Sequence, residues 1–200
     1  VDADAPIPGR FAANRSWTDE LDRRARALEW LLLDVDGVLT DGSLHVGPEG
    51  ERFKSFHVRD GLAIKLAQAG GLRVGLLSAR ESEIVRRRAA EVGIEEVVQG
   101  REDKGAAFAE LLSQHGLAPE RVAYVGDDLP DLAVLARVGL AAAPADAAPE
   151  VLAAVDFVTA AAGGRGCVRE LVERLLTARG SWTRLVGAFA GSPPDDGRGT

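Results

Sequence analysis

Residues 30–37 run Trp30-Leu31-Leu32-Leu33-Asp34-Val35-Asp36-Gly37. Four apolar residues in succession that end on an acid describe a strand buried on both faces, as in a parallel sheet. The pattern recurs downstream. Leu72-Arg73-Val74-Gly75-Leu76-Leu77 ends on Ser78, Glu96-Val97-Val98 is a shorter run, and Val122-Ala123-Tyr124-Val125 leads into Gly126-Asp127-Asp128. Between these runs lie helical patterns, from Glu81 to Val92 closed by Gly93 and from Lys104 to His115 closed by Gly116. Glycine suits the left-handed turn that ends a helix. Upstream, Thr18 can cap a helix carrying Leu21, Ala25 and Leu28 on one face. Downstream, Pro130 stands where a helix can begin, Leu140 to Ala142 and Phe157-Val158 are weaker strand patterns, and Val168 to Ala178 is a last helix. Strands alternating with helices predict an α/β fold with a doubly wound, mainly parallel sheet.

One segment interrupts the alternation. Residues 43–57 read as a hairpin insertion after the first strand, with arms Leu44 to Val46 and Arg52 to Phe56 around Gly47-Pro48-Glu49-Gly50. Side chains alternate along a strand, so Phe53 and Phe56 are expected on opposite faces. A hairpin apolar on both faces predicts burial against another subunit, or against the parent domain on one side. Residues 17–180 are expected to form a single domain. Residues 1–16, with Pro6, Pro8 and Gly9, read as a loose arm, and residues 181–200 as a tail whose Ser192-Pro193-Pro194-Asp195-Asp196-Gly197 end lacks the apolar content to order.

Composition excludes several classes. Thirty-one acidic residues against 24 Lys and Arg give a net charge of −7, which repels a phosphate backbone, so nucleic acid is not an expected partner. The triplet Arg86-Arg87-Arg88 falls in a helical pattern and reads as a solvated face. No run approaches the roughly 20 apolar residues of a membrane span, and the first residues lack the basic-then-apolar order of a secretory signal. The expected location is the cytoplasm. Cys167 is the one cysteine, which excludes an internal disulfide and a cysteine-based zinc site and leaves a small buried hydrophobe. His45, His57 and His115 show no metal-ligand spacing.

Ligands of open α/β sheets bind beyond the carboxyl ends of the strands, near the point where strand order reverses. Those ends carry Asp34, Asp36, Ser78, Asp127, Asp128 and Asp131. Clustered carboxylates raise one another's pKa unless a cation compensates. Oxygen ligands without His or Cys suit Mg²⁺, and Lys104, opening a helix, adds a second positive charge. The set describes a cation-bearing anion site, with phosphate as the anion. Asp34 is placed to attack phosphorus and form an aspartyl-phosphate. Asp36 can protonate the leaving oxygen and then activate water, while Gly37 keeps bulk away from the phosphoryl group.

These motifs resemble those of haloacid dehalogenase superfamily phosphatases. Asp34-Val35-Asp36-Gly37-Val38-Leu39-Thr40-Asp41-Gly42 resembles the first motif, Leu76-Leu77-Ser78-Ala79-Arg80 the second, Lys104 the third, and Val125-Gly126-Asp127-Asp128-Leu129-Pro130-Asp131 the fourth. All four stand in order at their expected element boundaries. Phe56-His57-Val58-Arg59-Asp60-Gly61 and Gly163-Gly164-Arg165-Gly166-Cys167-Val168-Arg169-Glu170 are similar to the capless branch that acts on 3-deoxy-D-manno-octulosonate 8-phosphate. The resemblance implies a Rossmann-like fold without a cap domain and a role in lipopolysaccharide precursor synthesis. It also implies Mg²⁺ on Asp34, the Asp36 carbonyl and Asp127, with Ser78 and Lys104 holding the phosphoryl group. Asp128 and Asp131 would support the metal from behind. It implies a homotetramer joined through the hairpins, a neighbour helping to close each site. Arg59 and Arg80 are candidates for gripping a substrate carboxylate, which guanidinium matches with two bonds.

Blander readings stand beside these. Asp41 and Asp60 precede glycine and read as turn residues, Asp128 can simply cap a helix, and Trp17 and Trp182 can dock the terminal arms. Gly163 to Gly166 is either a flexible linker or a loop that brings Arg165 to the site. A phospho-accepting receiver domain uses similar groups, but its lysine follows the last of these strands, whereas Lys104 precedes Asp127. An idle binding protein has no need of Asp36 beside Asp34. A phosphatase for a nine-carbon acidic sugar remains the alternative within the enzyme class.

Overall fold

The computed structural model describes residues 16–190, so the loose arm, Ser16 apart, and the end of the tail lie outside the described residues. Thr18 caps α1 (Asp19–Ala27), accepting from the Leu21 N–H at 3.3 Å. The chain continues through β1 (Trp30–Leu33), the hairpin β2 (His45–Gly47) and β3 (Gly50–Phe53), and α2 (Val58–Ala69). Next come β4 (Arg73–Leu77), α3 (Glu83–Val92), β5 (Glu96–Val98), α4 (Lys104–His115) and β6 (Val122–Val125). The last third holds α5 (Leu132–Leu135), β7 (Leu140–Ala143), α6 (Pro149–Leu152), β8 (Phe157–Val158), α7 (Cys167–Ala178) and α8 (Trp182–Gly187).

Six strands form one sheet in the order β5-β4-β1-β6-β7-β8, and every neighbouring pair is parallel. The chain winds outward from β1 to β5, returns past β1 to β6 and winds outward again. The reversal beside β1 opens a crevice at the carboxyl ends. Alternation along β1 divides the core. Leu31 and Leu33 join Val74, Leu76 and Val125 beneath the helices α1, α2, α3 and α7. Trp30 and Leu32 join Leu77, Tyr124 and Phe108 on the opposite face. Among the described residues, the hairpin is the insertion between β1 and α2, and no helix is long and apolar enough to cross a membrane.

Two expectations need correction. The second hairpin strand ends at Phe53 rather than Phe56. Phe53 is exposed and stacked on His45 at 4.0 Å, while Phe56 packs on the domain's own core beneath Arg88. Only one of the two aromatic faces is therefore open to a neighbour. Arg88 is correspondingly half-buried, whereas Arg86 and Arg87 are exposed; all three pair with glutamates. Residues 58–69, which the sequence pattern did not mark, form a helix whose covered side carries Asp60 and Gly61 while Val58 and Leu62 are exposed. Residues 182–187, at the start of the stretch read as a tail, form α8. Trp182 packs on the core with the Arg169 guanidinium over its ring, and Trp17 meets Phe157 edge-on.

Candidate active site

Asp34 is the first residue beyond β1 and its N–H donates to the Val125 carbonyl at 2.9 Å, extending the ladder by one step. This fixes the buried carboxyl group at the switch point. Lys104, the first residue of α4, reaches it from beyond β5. Its Nζ lies 2.8 Å from Asp34 Oδ1 and 2.6 Å from Asp131 Oδ1, and all three side chains are buried. Asp131 ends a 3₁₀ turn that begins at Leu129. Its Oδ1 also accepts from the Tyr124 hydroxyl at 2.5 Å, and its Oδ2 accepts from the N–H groups of Asp127 at 2.9 Å and Asp128 at 3.2 Å. Four donors occupy both oxygens. Asp128 is exposed and caps the same turn, accepting from the Leu129 N–H at 2.8 Å.

Oxygens of Asp34, Asp127 and Asp131 lie within 4.8 Å of one another. Burial, then the Asp131 charge, pushes the Asp34 carboxyl up to about 6 in spite of Lys104. Burial, then the charges of Asp34 and Asp131, pushes Asp127 up to about 8. The cluster therefore carries more negative charge than one lysine offsets, a deficit that a divalent cation relieves. Asp131 has no oxygen to spare, which leaves Asp34 and Asp127 as the pair that could hold a cation, hard donors matched to Mg²⁺. Gly37 makes room for this arrangement. Its φ is +89°, and a Cβ there would stand 2.0 Å from Asp127 Oδ2.

Ser78 is buried at the end of β4, and its Oγ accepts from the Arg80 N–H at 3.2 Å. Asp34, Asp36, Ser78, Arg80, Lys104 and Asp127 line one crevice of about 290 Å³, open to solvent. Asp36 sits at its rim, with Arg80 Nε 3.7 Å from Oδ2. Its Oδ1 accepts from Lys54, whose ammonium also lies 3.0 Å from Glu51 Oε1. Neither Lys54 nor Glu51 was a sequence candidate. Both come from the hairpin, 18 and 15 positions beyond Asp36, and no local spacing marks such a contact. Arg59 is not brought to this crevice; it is exposed in the first turn of α2.

Comparison with known proteins fits this geometry. The haloacid dehalogenase-like hydrolase family matches residues 80–171. The 3-deoxy-D-manno-octulosonate 8-phosphate phosphatase of Escherichia coli K12 is 46% identical over 164 residues, covering 82% of this chain and 87% of that protein. The chain belongs to this phosphatase family. A solved family structure from Yersinia pestis is 41% identical, with a TM-score of 0.80 over 82% of this chain and 89% of its own. Another, from Moraxella catarrhalis, is 33% identical with a TM-score of 0.84, covering 86% of this chain and 99% of its own. It holds a magnesium ion, a phosphate ion and 3-deoxy-D-manno-octulosonate.

In this phosphatase the glycine-rich segment before α7 is a packing element. The Gly164 N–H donates to the Val38 carbonyl at 2.9 Å, and a Cβ at Gly163 would lie 1.8 Å from the Gly37 oxygen. The loop therefore backs the turn that presents Asp36 and Gly37. Asp60 secures its far end, accepting from the N–H groups of Gly166 at 3.1 Å and Arg169 at 2.7 Å. Such long-range caps exceed the turn role expected of Asp60, whereas Asp41 does make a local turn, accepting from the Ser43 N–H at 3.1 Å. Arg165 is exposed beside Asp41, 3.5 Å away. Cys167 is buried, its thiol bonded to the Val38 carbonyl at 3.3 Å and pushed well up by burial, so it is not a nucleophile.

Proposed function

We propose that this protein is a magnesium-dependent phosphatase that releases phosphate from 3-deoxy-D-manno-octulosonate 8-phosphate through an aspartyl-phosphate on Asp34. The observation that carries this is the buried Asp34, held against Lys104 and beside Asp127 at the switch point, with Asp36 two residues on. The 46% identity to a phosphatase of that substrate supports the choice of sugar. Magnesium, held by Asp34, the Asp36 carbonyl and Asp127, supplies the positive charge that lets an anionic nucleophile approach an anionic ester.

Asp34 attacks phosphorus, and the P–O bond to the sugar breaks as Asp36 delivers its proton to the leaving oxygen. Asp36, now a carboxylate, takes a proton from a water that attacks the phosphorus of the intermediate. The Asp34–P bond breaks and free phosphate leaves. Lys104 and the Ser78 hydroxyl hold the phosphoryl oxygens during both displacements. Gly37 leaves space beneath them, and Asp131 keeps Lys104, Asp127 and Asp128 in place. Arg80, at the rim, suits the substrate carboxylate. Arg59 can serve that carboxylate only across a subunit boundary, in a homotetramer whose hairpins meet through the exposed Leu44, Val46 and Phe53. A phosphorylated sugar acid suits a cytoplasmic enzyme.

The test is phosphate release, with Mg²⁺, from the eight-carbon acid phosphate, nine-carbon analogues and hexose phosphates, in parallel with Asp34→Asn. Preference for the eight-carbon acid and loss of turnover in the folded variant are expected. Release from none of them by the unmodified protein, or normal turnover in Asp34→Asn, refutes the proposal.

A further inference from the structure

Lys54 follows the last residue of β3, yet its side chain is only 1% exposed. A surface lysine at a hairpin base normally extends its ammonium into water. Burying the charge is unfavourable unless anions receive it, and here two do: Asp36 Oδ1 and, at 3.0 Å, Glu51 Oε1. Glu51 is anchored in turn, since its Oε2 accepts from the hydroxyl of Ser82. That hydroxyl also accepts from the Val85 N–H at 3.4 Å and so caps α3. A chain of polar contacts, Ser82–Glu51–Lys54–Asp36, therefore runs from α3 through the hairpin to the loop after β1. Among the described residues, the far oxygen of Asp36 has no such partner. Arg80 Nε stands 3.7 Å from Oδ2, beyond hydrogen-bonding distance.

Asp36 is followed by Gly37 in its left-handed conformation, a residue that brings no side chain of its own against the carboxyl group. A group that gives a proton to one oxygen and then takes one from another must keep a single position through both steps. We propose that Lys54 is a positioning residue for Asp36, fixing one carboxyl oxygen so that the other faces the leaving oxygen and then the water. This rests on the phosphatase mechanism above and adds the hairpin to it. The insertion then contributes to catalysis within its own chain as well as offering an outer surface.

The two displacements depend on Asp36 differently, and this gives the test. A nitrophenolate leaving group needs no proton, whereas an alkyl oxygen does; activation of water needs Asp36 with either ester. Lys54→Met in the full-length, magnesium-loaded protein should lower kcat for p-nitrophenyl phosphate by up to about a hundredfold, with KM falling alongside it and kcat/KM nearly unchanged, because only the second step is slowed. Rapid mixing with that ester should release a burst of nitrophenolate approaching one per active site, larger than the unmodified protein gives. Turnover of the sugar phosphate should lack a burst, and Lys54→Arg should recover part of the rate. A packing defect lowers the active fraction and produces no burst. Should Lys54→Met not fold, Glu51→Gln, which loosens the anchor alone, should give the same burst with a smaller fall in kcat. Unchanged kcat, or a loss without a burst in whichever variant folds, overturns the role of Lys54 alone. An unmodified protein inactive on both esters refutes the phosphatase mechanism, and this inference with it.

Discussion

Asp131→Asn tests whether the carboxylate cluster is organised from behind, by a residue that touches no substrate. The variant keeps volume and removes one charge at a group only 1% exposed. Four donors converge on Asp131: Lys104 at 2.6 Å, the Tyr124 hydroxyl at 2.5 Å, and the N–H groups of Asp127 and Asp128. An amide can accept the two backbone N–H groups with its oxygen, but its NH₂ then faces the Lys104 ammonium, donor against donor. The tyrosine can rotate to accept, whereas lysine cannot. Breaking one side of a buried ion pair costs about 3–5 kcal/mol. Lys104 keeps Asp34 at 2.8 Å, which places the loss near the lower end, about 3 kcal/mol. In a domain of this size each kcal/mol moves Tm by roughly 2–4 °C, so a fall of roughly 6–12 °C is expected. Circular dichroism melts in EDTA measure it without any contribution from bound metal. A Tm within about 2 °C of the parent would refute the hub role, since a shift that small is under 1 kcal/mol.

Two further outcomes follow from the same geometry. Asp34 and Asp127 hold their protons up to about 6 and about 8 in the folded chain, above the roughly 3.9 of an unfolded aspartate. Their contribution to stability is present below that unfolded value and is lost as pH rises through the two folded values. The metal-free protein should therefore lose Tm between pH 5 and pH 9, and added Mg²⁺ should raise Tm more at pH 8 than at pH 5; an equal gain at both would contradict the charge deficit. Gly37→Ala forces a Cβ to within 2.0 Å of Asp127 Oδ2 at a φ of +89°. Displacing one ligand should weaken Mg²⁺ binding by roughly tenfold or more in calorimetric titration, and unchanged affinity would remove Asp127 from the ligand set.

Legibility in the sequence followed the physical contrast available to each segment. β1 and β6 are buried on both faces, so four apolar residues in a row announce them, and the acids beyond their ends mark the crevice. α2 was hidden because polarity does not follow burial along it: Asp60 and Gly61 lie on its covered side, while Val58 and Leu62 stand exposed on its outer face beside Lys65. The hairpin turn was legible from Gly47-Pro48-Glu49-Gly50, but the end of its second strand was not. Phe56 has the composition of a strand residue and the position of a core one. Lys54 was invisible for a different reason. Its partners are set by how the hairpin folds back over the sheet, which a local pattern cannot report.

The five site aspartates, Asp34, Asp36, Asp127, Asp128 and Asp131, are one residue type in the sequence, and the fold distinguishes them by the donors each receives. Asp131 receives four and is spent as a structural hub, although it lies within the same 4.8 Å cluster as Asp34 and Asp127. Asp128 turns its carboxylate to the adjacent backbone at the exposed edge. Asp36 is held by one oxygen and keeps the other toward the crevice. Asp34 and Asp127 remain crowded and short of positive charge, the condition that favours both a metal and a substrate phosphoryl group carried with it. Spacing places acids at the strand ends, but donor count assigns their work. A second family member with the same four motifs but no donor at the Tyr124 position should therefore hold Lys104 less firmly, however closely its aspartates align.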